Sequence, residues 1–183
     1  MARKCNQIAN ANPNLLVIAD ADTGGGNAIN VYRTIKQLII SGCKGCVLED
    51  QVWPKKSGHM RNKEVVNMDE FVSKVAAARE AIGSADFFLI ARTDARGCSA
   101  KHGLQNAITR ANLYVEAGAN ASLVDGPRST YELAQICEHT KGYRAISISE
   151  GGITPLHTYQ HLKEIGFHLV CILPKPNDCL HSC

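Results

Sequence analysis

Short continuous apolar runs alternate along this chain with segments whose apolar residues recur every three or four positions. Leu15-Leu16-Val17-Ile18-Ala19 is the first run, the pattern of a strand buried on both faces. Val31, Ile35, Leu38 and Ile39 then mark one face of a helix that Gly42 ends. Cys46-Val47-Leu48 is the next strand, followed by a polar segment reaching about Asn67 that is too long for a tight turn. Asn67 and Glu70 read as a capping box before a helix carrying Phe71, Val72, Val75 and Ile82. The unit recurs with a strand at Phe87–Ala91, a helix face of Leu104, Ala107, Ile108, Ala111 and Val115, and a strand at Ala121–Val124. Ser129 and Glu132 cap a helix with Leu133, Ile136 and Cys137; Tyr143–Ile148, Tyr159–Ile165 and His168–Leu173 complete the series as strand, helix and strand.

Regular βα alternation predicts a parallel sheet with right-handed crossovers, closed as a barrel or left open. The polar residues decide between them. Asp20, Glu49, Arg92, Asp125 and Ser147 fall at or just past the C-terminal ends of five different strands, and a barrel brings such ends to one mouth. An open sheet would spread them over roughly 20 Å, at ~4.8 Å per strand. The expected fold is therefore α/β, a single (β/α)8 TIM-type barrel domain over residues 1–183, represented by about six of its eight βα units. Six strands do not close such a barrel, so the chain is expected to be part of a longer protein or to assemble with others.

Composition narrows the setting. The 183 residues are 45% hydrophobic and 20% charged, an ordinary globular balance. A net charge of +3 from scattered basic residues leaves no nucleic-acid footprint. No apolar run approaches the ~20 residues of a membrane helix, and no membrane partner is expected. Met1-Ala2-Arg3-Lys4-Cys5-Asn6 has no apolar core of a secretory signal, so the expected setting is intracellular, cytoplasm or chloroplast. Cys43-Lys44-Gly45-Cys46 lies at a helix end rather than a helix start, and no second pair completes a zinc set; reduced thiols are expected.

The chemistry gathers in two segments. Asp20-x-Asp22 at one strand end and Glu49 at the next form an all-oxygen set suited to Mg²⁺ or Mn²⁺ held partly through water. Taken alone, Asp20-x-Asp22 would read as a helix-capping turn; Glu49-Asp50 tips the reading to a metal. Thr23-Gly24-Gly25-Gly26-Asn27 lacks the Gly-Lys-Ser/Thr ending of a phosphate loop and reads as a tight backbone passage. Lys55-Lys56-Ser57-Gly58-His59 has the make-up of a lid over an anionic substrate, or of a solvated loop. Arg92 can clamp a carboxylate or pair with Asp94 or Asp125; spacing does not separate these.

At these residues the chain resembles the isocitrate lyase / phosphoenolpyruvate mutase superfamily, in its plant carboxyvinyl-carboxyphosphonate phosphorylmutase-like, petal-death-protein-like branch. Asp20-Ala21-Asp22-Thr23-Gly24-Gly25-Gly26, Glu49-Asp50-Gln51-Val52-Trp53-Pro54-Lys55-Lys56, Gly58-His59-Met60-Arg61, Ala91-Arg92-Thr93-Asp94-Ala95, Glu150-Gly151-Gly152 and Thr154-Pro155-Leu156-His157-Thr158 carry the resemblance, which runs from about residue 8 to about residue 170. It implies a Mg²⁺-dependent lyase cleaving a C–C bond of a small 2-hydroxy or 2-oxo carboxylic acid through an enolate, in a homotetramer that exchanges its last helix. It further implies that Asp20 contacts the metal, that Asp22 and Glu49 hold it through water, and that Arg92 binds the substrate carboxylate. Lys56, Ser57 and His59 would lie on a catalytic gating loop, with Asp125, Ser147, Glu150 and Gly151 lining the substrate. The chain departs from the lyases at Ser57, where they carry Cys, at Asp125, usually Glu, and at Ser147, often Asn. A truncated or divergent non-catalytic homologue with a scaffold role, a P–C mutase and an engineered Cys-to-Ser form are the alternatives these departures raise.

Overall fold

The structure, a computed structural model, describes residues 2–12, 14–56, 60 and 62–173. In chain order it runs α1 (Ala2–Ala11), β1 (Ile18–Asp20), α2 (Ala28–Ile40), β2 (Gly45–Glu49), α3 (Met68–Ile82), β3 (Phe88–Thr93), α4 (Ala95–Cys98), α5 (Gly103–Glu116), β4 (Ala121–Val124), α6 (Thr130–His139), β5 (Tyr143–Ser149), α7 (Tyr159–Ile165) and β6 (Leu169–Leu173). The six strands form one parallel sheet in the order β1-β2-β3-β4-β5-β6. That order never reverses, as it would at the switch point of a doubly wound sheet. The sheet is a curled half-barrel, the closure that the polar residues at the strand ends predicted.

Period two along each strand sorts its residues between two layers. Ala19, Cys46, Leu48, Leu89 and Ala91 face α2 and α3, in a core that includes Phe71, Val75 and Tyr114. The alternate positions Val47, Phe88, Ile90, Ala121, Leu123, Ala145, Leu169 and Cys171 form a separate cluster on the concave face. Both faces are apolar, which is why the strands read as unbroken hydrophobic runs. A further core joins α5, α6 and α7 to β4 and β5 through Ile108, Leu133, Ile146, Ile148 and Leu162.

The helix starts follow their caps. Asn27 Oδ1 accepts from Ile29 N and Asn30 N, Asn67 Oδ1 from Asp69 N, and Ser129 Oγ from Glu132 N. β1 corrects the sequence reading: it begins at Ile18, not Leu15, and Leu15 and Leu16 are 58% and 75% exposed. β1 pairs only with β2, so the run ahead of it has no second neighbour to cover it. α1 and α4 were not anticipated. In α1 Cys5 joins the core, but the segment is polar overall, which hides its narrow apolar side. Among the described residues no helix is long and apolar enough to cross a membrane.

Candidate active site

The strand alternation that builds the concave cluster ends in polar groups. On β2, Val47 is followed two residues on by Glu49; on β3, Ile90 by Arg92; beyond β4, Leu123 by Asp125; on β5, Ala145 by Ser147. Glu49 is the register partner of Arg92, so the two side chains leave the same face of adjacent strands. Asp20 ends β1, in register with Val47.

The turn after β1 is tightly fixed. Asp22 adopts a left-handed backbone (φ 51°), with its N–H donating to Asp20 Oδ1 at 3.0 Å and its carbonyl accepting from Glu49 N at 2.9 Å. At Gly24 (φ 83°) a Cβ would collide with Val31 Cγ2 and lie 3.0 Å from Leu48 Cδ1, so glycine alone lets this turn press onto α2 and β2.

Three carboxylates meet one ammonium at this end of the mouth. Lys55 Nζ pairs with Asp22 Oδ1 and lies 3.5 Å from Asp20 Oδ2 and 3.6 Å from Glu49 Oε1. Burial works against the charge on Lys55, but the bond to Asp22 and the charges of Glu49, Asp20 and Asp22 outweigh it and raise its pKa. Glu49 is only 3% exposed, and that burial, aided by Asp94 and Asp20 against Arg92 and Lys55, pushes its carboxyl up to about 7.

Beside it lies a second, deeper group. Arg92 grips Asp94 bidentately, Nε to Oδ2 at 2.9 Å and Nη2 to Oδ1 at 3.0 Å. It also reaches Glu49 Oε2 at 3.4 Å and Asp125 Oδ2 at 3.2 Å. Lys63 Nζ enters from the other side, 2.5 Å from Asp94 Oδ1 and 2.8 Å from Asp125 Oδ2. Burial would raise the Asp94 pKa; Arg92 and Lys63 together hold it below its ordinary value. For Asp125 burial and the Asp94 charge prevail, and its pKa rises. Beneath them Asp50, fully buried, accepts from Asp94 N at 2.9 Å, from Tyr114 OH at 2.7 Å and from Arg110 Nη1 at 3.2 Å, tying the ends of β2 and β3 to α5.

The segment between β2 and α3 is anchored at its root. Gln51 pairs antiparallel with Val65, and Val52 N and Val66 N donate to Glu64 O and Asp50 O. The Gln51 amide donates to Lys56 O at 2.9 Å and accepts from Lys56 N at 3.0 Å. Lys56 Nζ donates to Asn62 O at 2.5 Å.

The structure thus brings Asp20, Asp22, Glu49, Arg92 and Asp125 into one mouth. The ion pairs of Arg92 with Asp94 and with Asp125, left open by spacing alone, are both present. Ser147 lies within β5, and Glu150 and Gly151 in the turn after it. Ser57 and His59 lie outside the described residues. Sequence reasoning did not place Lys55 or Lys63 among the carboxylates. Lys55 was grouped with the loop rather than the carboxylates, although it is the lysine that reaches them. Asp94 was named as a partner of Arg92, but not as the acid that Arg92 shares with Lys63. Lys63 carried no local sign of burial, which arises from residues 64–66 folding back on 50–52.

Among the described residues no three or more His, Cys, Asp or Glu side chains form a ready-made metal cage. The donor chemistry nonetheless fits a hard divalent ion: three carboxylates already address one cationic point. With every group ionised, Asp20, Asp22, Glu49, Asp94 and Asp125 against Lys55, Arg92 and Lys63 leave an excess of two negative charges.

A family model described as phosphoenolpyruvate phosphomutase matches residues 1–179. The chain belongs to this family. It is 58% identical over 170 residues to a chloroplastic carboxyvinyl-carboxyphosphonate phosphorylmutase of Arabidopsis thaliana, covering 93% of this chain and 50% of that protein. It is 57% identical over 164 residues to the petal death protein of Dianthus caryophyllus, covering 90% and 51%. The crystal structure of a 2,3-dimethylmalate lyase of the PEP mutase/isocitrate lyase superfamily superposes with a TM-score of 0.91 at 32% identity, covering 100% of this chain and 61% of that one. The chain spans about half the length of the curated relatives it matches. The family is one of lyases and mutases.

Proposed function

We propose that this mouth is a Mg²⁺ site, with Mn²⁺ able to serve, opposite a carboxylate clamp, and that it works in C–C bond cleavage of small 2-hydroxy or 2-oxo carboxylic acids. The observation that supports this most is the convergence of Asp20, Asp22 and Glu49 on one cationic point beside the Arg92 guanidinium. These three acids would hold the ion through oxygen, directly or through water. When bound, the ion supplies Lewis-acid polarisation of the substrate oxygens and offsets the charge that builds on them.

The protein's own groups do the rest. Arg92 meets its neighbouring acids through Nε and Nη2, and its Nη1 is the group assigned to the substrate carboxylate. Asp94 and Asp125 fix the guanidinium in advance, so binding costs little reorganisation. Cleavage removes the proton of the substrate hydroxyl, moves the C–C electron pair onto the departing carbon, and ends with protonation of that carbon. Lys56, Ser57 and His59 are the proposed proton-handling groups, with Asp125, Ser147, Glu150 and Gly151 lining the acid. A serine hydroxyl at 57 is a weak proton donor at neutral pH. A homo-oligomer in the cytoplasm or chloroplast belongs to the same proposal; the Arabidopsis relative is named as chloroplastic.

The test is release of pyruvate, glyoxylate or oxaloacetate from branched malates and citrates in the presence of Mg²⁺. Turnover is expected, and Ser57→Cys is expected to raise it by about 10²-fold, the low end of what a positioned acid supplies. No turnover by either folded protein would leave the non-catalytic scaffold reading. Conversion of a phosphonate without action on malates would favour the mutase reading, which the name of the Arabidopsis relative supports.

A further inference from the structure

Lys55 occupies the point that the proposed function gives to a divalent ion. Its ammonium pairs with Asp22 and lies 3.5 Å from Asp20 Oδ2 and 3.6 Å from Glu49 Oε1. Glu49, 3% exposed, also meets Arg92 at 3.4 Å, so the cation at this point is one of its two counter-charges and can exchange without leaving it unpaired. The lysine is tethered. Its neighbour Lys56 is clasped through both backbone N and O by the Gln51 amide, which holds the Lys55 backbone beside the carboxylates while its four-carbon stem can swing. A tethered group competes at a high effective concentration. It carries one charge, however, where the fully ionised mouth has two in excess even with Lys55 counted.

We infer that Lys55 is a built-in competitor for the cation site: its ammonium neutralises Asp20, Asp22 and Glu49 until a divalent ion displaces it. The inference rests on the metal reading above and adds to it the residue that sets the ion's apparent affinity. An ammonium holding the site about 90% of the time weakens that affinity about tenfold, because only the vacated fraction binds.

The chain carries its own reporter. Trp53 is the single tryptophan, 71% exposed and two residues from Lys55. The experiment titrates the whole chain and Lys55→Met with Mg²⁺ by calorimetry, and with Mn²⁺ by electron paramagnetic resonance, following Trp53 emission in parallel. The expected result is an affinity about tenfold tighter in Lys55→Met. A Trp53 response to Mg²⁺ is expected in the parent chain and lost in the variant. Lys55→Arg, which keeps the charge, is expected to restore the weak affinity. Mg²⁺ binding that is equal or weaker in Lys55→Met overturns the inference and leaves the metal reading standing. So does tighter binding with an unchanged Trp53 response, because deleting a charge would by itself tighten binding. Absence of Mg²⁺ and Mn²⁺ binding in all three proteins overturns both.

Discussion

The two carboxylate groups of the mouth are neutralised in different ways. Asp94 and Asp125 are held between Arg92 and Lys63, with the Asp94 side chain fully buried and that of Lys63 5% exposed. Asp20, Asp22 and Glu49 converge on Lys55, whose side chain is 30% exposed and comes from the segment after Pro54. In the deeper group both signs leave water together and their geometry is locked by several bonds. In the outer group a single ammonium from a loop reaches three acids, of which Glu49 also meets Arg92. A fixed cation orients the acids around it, whereas an exchangeable one holds a place for something else.

Stability measurements can break this contrast. The largest effect belongs to Lys63→Met, which leaves Asp94 and Asp125 buried with Arg92 as their remaining counter-charge. It is expected to lower the unfolding free energy by about 3–5 kcal/mol in urea titration. A loss under about 1 kcal/mol would rank the deep group with surface ion pairs and erase the distinction. Tyr114→Phe comes next. It removes the 2.7 Å donor to Asp50 Oδ2 and leaves Arg110 in place, at an expected cost of about 1–3 kcal/mol with circular dichroism unchanged.

An ion pair outside the mouth gives the scale below that. Arg96 grips Glu132 at 2.8 and 2.7 Å, and that bond, with Arg128 N at 2.9 Å, holds the Glu132 carboxyl below its ordinary value of 4.5. As pH falls the unfolded chain takes the proton first. The stabilisation is therefore complete above that ordinary value and is lost as pH drops through the folded-state pKa. Glu132→Gln is expected to remove about 1–2 kcal/mol at neutral pH and to flatten that acid limb in urea midpoints measured across it. Lys55→Met should move stability least, within about 1 kcal/mol of the parent chain. A larger loss would mean that Lys55 is structural, as Lys63 is.

The fold was legible because the strands lie between two apolar layers and the helices carry one apolar face. β4 and α7 have the boundaries read from the sequence, since turn residues bracket them tightly. The start of β1 was not legible, because an apolar run does not reveal that it lacks a neighbour on one side. At the mouth, Asp20, Glu49 and Arg92 stood out as charges closing apolar runs. Partner choice did not. That Arg92 meets Asp94, Asp125 and Glu49 together, and that Lys63 joins them from a distant turn, depends on strand register and on a loop folding back, which no local spacing encodes.

The alternation of layers along β3 has a consequence for how such a chain can change. Phe88, Ile90 and Arg92 share the concave side, while Leu89 and Ala91 pack beneath the helices. Swapping one aliphatic residue for another leaves that assignment untouched. Deleting a single residue ahead of Arg92 would turn the guanidinium into the greasy layer and bring Thr93 to its place at the mouth, because each step along a strand reverses its side. A change of one residue in length is therefore expected to be tolerated in the connecting loops and not within β3.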